Sequence, residues 1–111
     1  MVTKRSRICS AYCQEALRLL GSLIREERLV RHITAALLAE RVGISRALLQ
    51  RIEKGDPACS IGAAFEAAAV LGIELFESEK TNLSAQIQRS ELTLRLLPRR
   101  VRPSGVLHDD F

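Results

Sequence analysis

Aromatic residues and cysteines are scarce in this chain of 111 residues. Aromatics make up 4% of it, tryptophan is absent, and there are three cysteines. An odd cysteine count without a secretory signal argues against a disulfide framework. No apolar run approaches the roughly 18 residues of a membrane-spanning helix, and the basic N-terminus lacks the apolar stretch of a signal peptide. We therefore expect a cytoplasmic protein with no membrane partner.

Residues that ligate metals or act in catalysis are also few. Cys9 and Cys13 stand four apart, as half a metal site or a redox pair would, but the only histidines are His32 and His108. Because zinc sites usually need four nitrogen or sulfur ligands, we interpret the cysteines as small apolar filler residues. Ser45 and His32 make a poor nucleophile and base, since no acidic residue is spaced to orient the histidine. The sequence predicts no enzyme, no metal and no cofactor.

The remaining composition is that of an ordinary folded domain with a mild basic excess. Hydrophobic residues make up 47% of the chain, charged residues make up 27%, and the formal net charge is +4. This length suits one domain with a modest core and tails. The positive charge suits an anionic partner but does not identify one.

The most informative segment is 34–55, TAALLAERVGISRALLQRIEKG. Leu38, Ala39 and Val42 recur at helical spacing and predict a short helix with one apolar face. Gly43 follows where a helix end often needs a left-handed residue, which glycine adopts most cheaply. Ser45 then predicts the N-cap of a second helix. The segment therefore predicts two short helices joined by a tight turn.

The second helix of this pair has an apolar side and a polar side. Leu49 and Ile52 are expected to point inward, and Gly55 to end the helix. The polar side carries Arg46, Gln50, Arg51 and Lys54. A charged helix alone is usually a solvated face, but two helices across a glycine turn are typical of a DNA-binding helix-turn-helix. In such a module, arginine can form a bidentate pair with guanine.

We predict an all-α fold: a compact helix-turn-helix domain of four to five helices, with a C-terminal extension and a flexible tail. A basic arm at 1–10 precedes the domain at 11–76. The first helix is predicted to run from Ala11 to Val30 and the fourth from Ile61 to Leu71, with Phe65 as core anchor. The buried stripe of the first helix is predicted to be Leu17, Leu20, Ile24 and Leu29. Gly21 predicts a break or a close helix contact, since mid-helix glycine costs up to about 1 kcal/mol.

Residues 77–97 are predicted to be a dimerisation element. This element is either a helix or a strand, because SELTLRLL also alternates. Its apolar residues have no obvious use in a small monomeric core and form the candidate dimer interface: Leu83, Ile87, Leu92, Leu94, Leu96 and Leu97. Pro98 ends the element. The segment 98–111 has little to bury and is predicted to be a flexible tail that contacts a partner.

The segment from Leu19 to Phe76 resembles the Cro/phage-repressor family of helix-turn-helix domains, the XRE type. The resemblance is carried by IREER at 24–28, LLAERVGIS at 37–45, LLQRIEKGDP at 48–57 and LGIELF at 71–76. It implies a nucleoid-associated transcriptional repressor that binds double-stranded operator DNA as a homodimer.

The same resemblance assigns roles to single residues. It implies an ion pair between Arg28 and Glu53 that ties two helices together and orients a phosphate contact. Base-reading positions fall on Ser45, Arg46, Ala47 and Arg51. Phosphate contacts fall on Thr34 and Ala35, where many relatives carry glutamine at the second position, and we add Gln50, Lys54 and Arg28.

A narrower resemblance concerns KGDP, the alanine-rich helix after it, LPRRVR and the terminal DDF. These motifs are similar to HipB-like antitoxins, which are encoded beside a HipA-like kinase toxin. They imply an antitoxin that represses its own operon and has such a kinase as a partner. Two alternatives stay open: a plain XRE-type regulator without a toxin, and a helical protein-interaction adaptor, which Ala35 and Ala47 slightly favour.

Overall fold

The computed structural model describes residues 8–76 and 80–101 of the chain. Within these ranges the fold is all-α, as predicted, and contains no strand element. Its five helices are α1 (Ala11–Val30), α2 (Ala35–Val42), α3 (Arg46–Glu53), α4 (Ile61–Val70) and α5 (Lys80–Leu96). Most of the predicted arm and tail, at 1–7 and 102–111, lies outside the described residues. None of the described helices is long and apolar enough to cross a membrane.

The chain divides after Phe76 into two compact units. The first unit contains α1 to α4, and the second contains α5. Within the first unit, α3 packs against α1, α2 and α4, and α2 also packs against α4. The helix α3, the second of the predicted helix-turn-helix pair, is therefore held by all three other helices of its unit.

Each helix of the first unit begins at a hydroxyl side chain that accepts a hydrogen bond from a backbone N–H three residues later. Such a cap is worth about 1 kcal/mol, because it satisfies a donor that has no partner inside the helix. The pairs are Ser10 with Cys13, Thr34 with Leu37, Ser45 with Leu48 and Ser60 with Ala63. These caps explain why the predicted helix starts agree with the structure.

The core of the first unit is small and uses residues from all four helices. Ile24, Leu38, Leu49 and Leu71 are its largest fully buried side chains, and burying such a side chain contributes roughly 1.5–3 kcal/mol. The remaining buried core residues are Ala39, Ile52, Ala67 and Ala68. Alanines let α4 approach its neighbours closely, so the core needs few large side chains.

The predicted buried stripe of α1 was wrong at Leu29, and its Leu17 is only half-buried. Ile24 is buried and Leu20 packs against the core, but Leu29 is 51% exposed. The buried position is that of Arg28, which lies four residues after Ile24 and so on the same side of the helix. Leu29 is one residue further on and is rotated by about 100° away from that side.

Gly21 marks a close helix contact and not a break, since α1 continues through it. A Cβ atom built on Gly21 would lie 2.5 Å from the carbonyl oxygens of both Ile52 and Glu53. The backbones of α1 and α3 therefore touch at a point where only a hydrogen atom fits.

Phe65 is not the core anchor that the sequence predicted. Its side chain is half-buried and packs edge to face against Phe76, with ring centroids 6.2 Å apart. The inward positions of α4 belong instead to Ala67 and Ala68. Small side chains therefore fill the inward side of α4.

The interpretation of the first two cysteines as filler residues was also wrong. Cys9 and Cys13 form a disulfide whose Cα atoms are 5.3 Å apart. Cys9 precedes the N-cap Ser10 and Cys13 lies in the first turn of α1, which brings the two side chains together. An odd cysteine count excludes complete pairing, but it does not exclude one local bridge. Cys59 is a free thiol, and burial raises its pKa.

Candidate nucleic-acid interface

The turn between α2 and α3 is made by Gly43, which takes a left-handed conformation with φ of 88°. The N–H groups of Gly43 and Ile44 both donate to the carbonyl oxygen of Ala39, so the end of α2 is hydrogen-bonded. Ser45 then caps α3, and its hydroxyl accepts from the N–H of Leu48 at 3.0 Å. The Ser45 hydroxyl is therefore part of the helix start, as expected for a cap rather than a nucleophile.

The predicted base-reading residues at the start of α3 are open to solvent. Ser45, Arg46 and Ala47 are all exposed. The Arg46 guanidinium makes no ion pair or hydrogen bond with the described part of the chain. It is therefore available to a ligand that approaches the N-terminal end of α3, where helix-turn-helix modules contact base edges.

Arg51, the fourth predicted base-reading residue, has a partner that the sequence analysis missed. Its Nε donates to Oδ2 of Asp56 at 2.8 Å, and the arginine side chain is 49% exposed. Hydrogen bonding to Asp56 raises the pKa of Arg51, so its guanidinium stays charged. Arg46 therefore has no partner among the described residues, whereas Arg51 is hydrogen-bonded to Asp56.

A polar cleft of about 330 Å³ lies between α1, α2 and α3. Its lining brings together four residues predicted to contact phosphate, with two others: Arg28, Ala35, Gln50 and Lys54, with Arg25 and Glu53. Thr34, the fifth predicted phosphate residue, caps the helix that begins at Ala35. A helix N-terminus carries partial positive charge and free N–H groups, which suits an anion.

Arg25 was missed as a member of this cleft. It lies three residues before Arg28 and so projects from a neighbouring position of the same helix. That i, i+3 spacing was the signal in the sequence that pointed to it. Because Glu53 offsets the charge of Arg28, the side chains of Arg25 and Lys54 supply the unpaired positive charge of the cleft.

Arg28 and Glu53 form a bidentate ion pair. Nε of Arg28 is 2.8 Å from Oε2 of Glu53, and a terminal nitrogen is 3.1 Å from Oε1. The other terminal nitrogen donates to the carbonyl oxygen of Ile33 at 3.0 Å. The two side chains are 10% and 6% exposed, and the hydrogen bond to Glu53 raises the pKa of Arg28.

This ion pair fixes the position of α3. One guanidinium joins α1, the loop after it and α3, because its three hydrogen bonds end on Glu53 and Ile33. Removing one partner of a buried, hydrogen-bonded ion pair lowers the stability of a protein by several kcal/mol. Arg28 is therefore mainly a structural member of the cleft.

A capped pair of short helices across a glycine turn, with an open basic start to the second helix, defines a helix-turn-helix DNA-binding domain. In agreement, the family model described as "Helix-turn-helix" matches residues 24–78. This segment is therefore similar to helix-turn-helix domains of the Cro/C1, XRE-like type. No curated protein and no solved structure gave a significant match to the chain.

The described residues contain no group of three or more His, Cys, Asp or Glu side chains placed to hold a metal ion. His32 lies in the loop after α1, where it has a positive φ of 58° and is exposed. Ser45 is committed to its capping bond.

The second unit presents exposed apolar residues on α5 and at Leu97, directly after it. The exposed fractions are 55% for Ile87, 54% for Leu92, 63% for Leu94, 80% for Leu96 and 52% for Leu97. Leu83 is half-buried. With α5 helical, the strand alternative is excluded.

The predicted dimerisation residues do not share one side of α5. At 100° per residue, Ile87 and Leu94 lie within about 40° of Leu83. Leu92 and Leu96 lie about 180° and 140° from Leu83, on the other side. We name the first set, Leu83, Ile87 and Leu94, the α5 stripe.

Proposed function

We propose that this chain is a sequence-specific transcriptional regulator that represses by binding operator DNA through α3. The observation that carries the proposal is the exposed and unpaired Arg46 at the N-terminal end of α3, in a helix-turn-helix domain. In such modules this end contacts base edges in the major groove. Ser45, Arg46 and Ala47 are the proposed base-reading residues at this end.

The cleft between α1, α2 and α3 is proposed to hold a DNA phosphate. Arg25 and Lys54 supply charge, Gln50 supplies an amide donor, and Ala35 places the start of α2, with the partial positive charge of a helix N-terminus, at the cleft. At this position the chain has Ala35, which lacks the side-chain amide of the glutamine that many relatives carry. The backbone and the two basic side chains are therefore proposed to replace that amide.

The test compares Arg46→Ala with Arg41→Ala as matched control. Arg41 is an exposed arginine in the last turn of α2, so both variants lose one positive charge from the same motif. Duplexes selected by the wild-type protein from a random pool serve as operator, and unselected duplexes serve as competitor. A lost bidentate arginine contact costs roughly 1–3 kcal/mol, which is about 5- to 150-fold in affinity.

We expect Arg46→Ala to weaken binding to the selected duplex much more than to the random duplex. Arg41→Ala should weaken both slightly and equally. Equal losses from Arg46→Ala on the two duplexes would mean that Arg46 contacts only phosphate.

We further propose that the regulator acts as a homodimer through the α5 stripe. One helix-turn-helix domain contacts a half-site, and two-fold pairing lets two domains contact a palindromic operator. Support comes from Ile87 and Leu94, which are apolar and each more than half exposed.

The narrower hypothesis is that the protein is the antitoxin of a HipA-like kinase toxin. It rests on the similarity of KGDP and LPRRVR to HipB-like antitoxins and on the terminal DDF, which lies outside the described residues. Purification of the tagged protein from its native cell tests it: a kinase-like protein that elutes with it supports the antitoxin, and its absence favours the plain regulator. An adaptor without DNA binding would fail to bind every duplex.

A further inference from the structure

We propose that Asp56 is a specificity-determining residue that neutralises and positions Arg51, so that Arg51 does not add to non-specific attraction for DNA phosphates. This inference rests on the proposed function, since it concerns how the same helix discriminates between DNA sequences. It differs from a direct contact, because Asp56 acts through Arg51.

The carboxylate of Asp56 is fixed from two sides. Its Oδ2 accepts from Nε of Arg51, and its Oδ1 accepts from the N–H of Ala58, both at 2.8 Å. The N–H of Asp56 donates to the carbonyl oxygen of Arg51 at 3.0 Å. The backbone and the side chain of Asp56 are thus both hydrogen-bonded to nearby residues. The carboxylate that accepts from Arg51 is therefore held in a fixed position.

The turn that returns Asp56 to Arg51 is itself held in position. Gly55 has a φ of 81°, which favours glycine, and a Cβ atom there would lie 2.8 Å from the Cα atom of Arg18 on α1. The loop after α3 is therefore packed against the backbone of α1. An acidic residue on this loop keeps its place when solvent or DNA approaches Arg51.

The pair is ionised at neutral pH. The hydrogen bond from the N–H of Ala58, and then the one from Arg51, lower the pKa of the Asp56 carboxyl. The charges of Arg51 and Asp56 consequently cancel over 2.8 Å. Only Nε is used in the bond, so the two terminal nitrogens of Arg51 keep donors for a base edge or a phosphate.

The consequence for DNA binding follows from counterion release. Each positive side chain that neutralises a phosphate steepens the dependence of log K on log salt by about 0.9. A free arginine adds this term on every sequence. An arginine paired with a fixed carboxylate adds little of this salt-dependent affinity. Its remaining N–H donors can still form directional hydrogen bonds with a matching base. Asp56 is therefore expected to raise the ratio of specific to non-specific affinity.

The experiment measures affinity by fluorescence anisotropy across a salt series, on a random-sequence duplex and on a duplex selected by the wild-type protein. The main variant is Asp56→Asn, which keeps an oxygen for the Ala58 N–H and loses the charge. Glu66→Gln on α4 is the matched control, because Glu66 is exposed and the change in net charge is the same. Asp56→Ser is the second variant, since a serine hydroxyl also accepts from such an N–H.

For Asp56→Asn and Asp56→Ser we expect tighter binding to the random duplex, a salt slope steeper by about 0.9, and a lower ratio of selected to random affinity. Glu66→Gln should change the slope much less. Adding Arg51→Ala to Asp56→Asn should restore the shallow slope, because the effect runs through Arg51.

Two results would overturn the inference while leaving DNA binding intact. One is a wild-type slope and ratio in both Asp56 variants, which would make the pair an ordinary surface contact with no effect on DNA specificity. The other is an equal change in Glu66→Gln, which would assign the effect to total charge. A wild-type protein that binds neither duplex would instead defeat the proposed function, and this inference with it.

Discussion

Gly21→Ala adds one methyl group at the contact between α1 and α3, and the structure gives it no space. The new carbon would lie 2.5 Å from two carbonyl oxygens and 2.8 Å from the carbonyl carbon of Glu53. Even weak carbon–oxygen contacts need about 3.3 Å. Since these atoms belong to the backbone of α3, no side-chain rotation can relieve the overlap, and the two helices must move apart.

The expected magnitude is the difference between two effects. Alanine in the middle of a helix is favoured over glycine by about 1 kcal/mol. Overpacking costs typically 1–3 kcal/mol and occasionally more, and the upper half applies where only backbone can give way. We therefore expect Gly21→Ala to lower the free energy of unfolding by about 1–2 kcal/mol. For a domain of this size each kcal/mol shifts Tm by roughly 4–8 °C.

Gly62→Ala is the matched control for this prediction. Gly62 is exposed near the start of α4, and the nearest atom to a Cβ there is Oγ of Ser60 at 3.7 Å. The same methyl should therefore be tolerated and should raise stability by up to about 1 kcal/mol. Urea unfolding followed by circular dichroism measures wild type and both variants. If Gly21→Ala proves as stable as Gly62→Ala, the backbone contact between α1 and α3 does not exist.

Three further predictions concern the ion pairs and α5. Glu53→Ala should lower the free energy of unfolding by roughly 3–5 kcal/mol, because Arg28 is left buried without a partner. The control Glu27→Ala, which breaks the exposed pair with Arg31, should cost only about 0.3–0.5 kcal/mol. Equal losses of the two variants in urea unfolding would contradict this. Ile87→Asp combined with Leu94→Asp should give a monomer in sedimentation, whereas Leu92→Asp with Leu96→Asp should not; a dimer in the first case would place the interface elsewhere. The bonds from the Ala58 N–H and from Arg51 lower the pKa of Asp56, so their stabilisation should persist above the ordinary carboxyl pKa and be lost as pH falls through the lower value. The NMR titration of the Asp56 carboxyl should therefore have a midpoint below 3.8; a midpoint at or above that value would show that these two bonds do not hold the carboxylate.

The helix boundaries of the first unit were predictable because local chemistry sets them. Thr34, Ser45 and Ser60 each accept the bond that starts a helix, and Gly43 takes the left-handed turn. These features act over three or four residues, so the sequence alone carries them. The exposed Arg46 at the start of α3 was predictable for the same reason.

Other features depend on contacts between segments and were missed. The partner of Arg51 is five residues away, but it meets Arg51 only because Gly55 turns the loop back against Arg18. Leu29 looked like a core residue because it is apolar, yet its direction on α1 is fixed by the burial of Arg28. Whether residue 83 onward forms a helix or a strand was undecided, since its apolar pattern fits both.

The separation of the core from the start of α3 has an evolutionary consequence. Ser45, Arg46 and Ala47 are exposed, whereas the residues that hold α3 in place, Leu49, Ile52 and Glu53, come later in the helix. Effects of substitutions at sites that share no partners usually add. Because Arg46 and Ala47 are exposed, substitutions there should change folding stability little. Under the proposed function, new binding specificities could then arise on this scaffold one residue at a time, and a combinatorial library at these two positions should keep most of its variants folded.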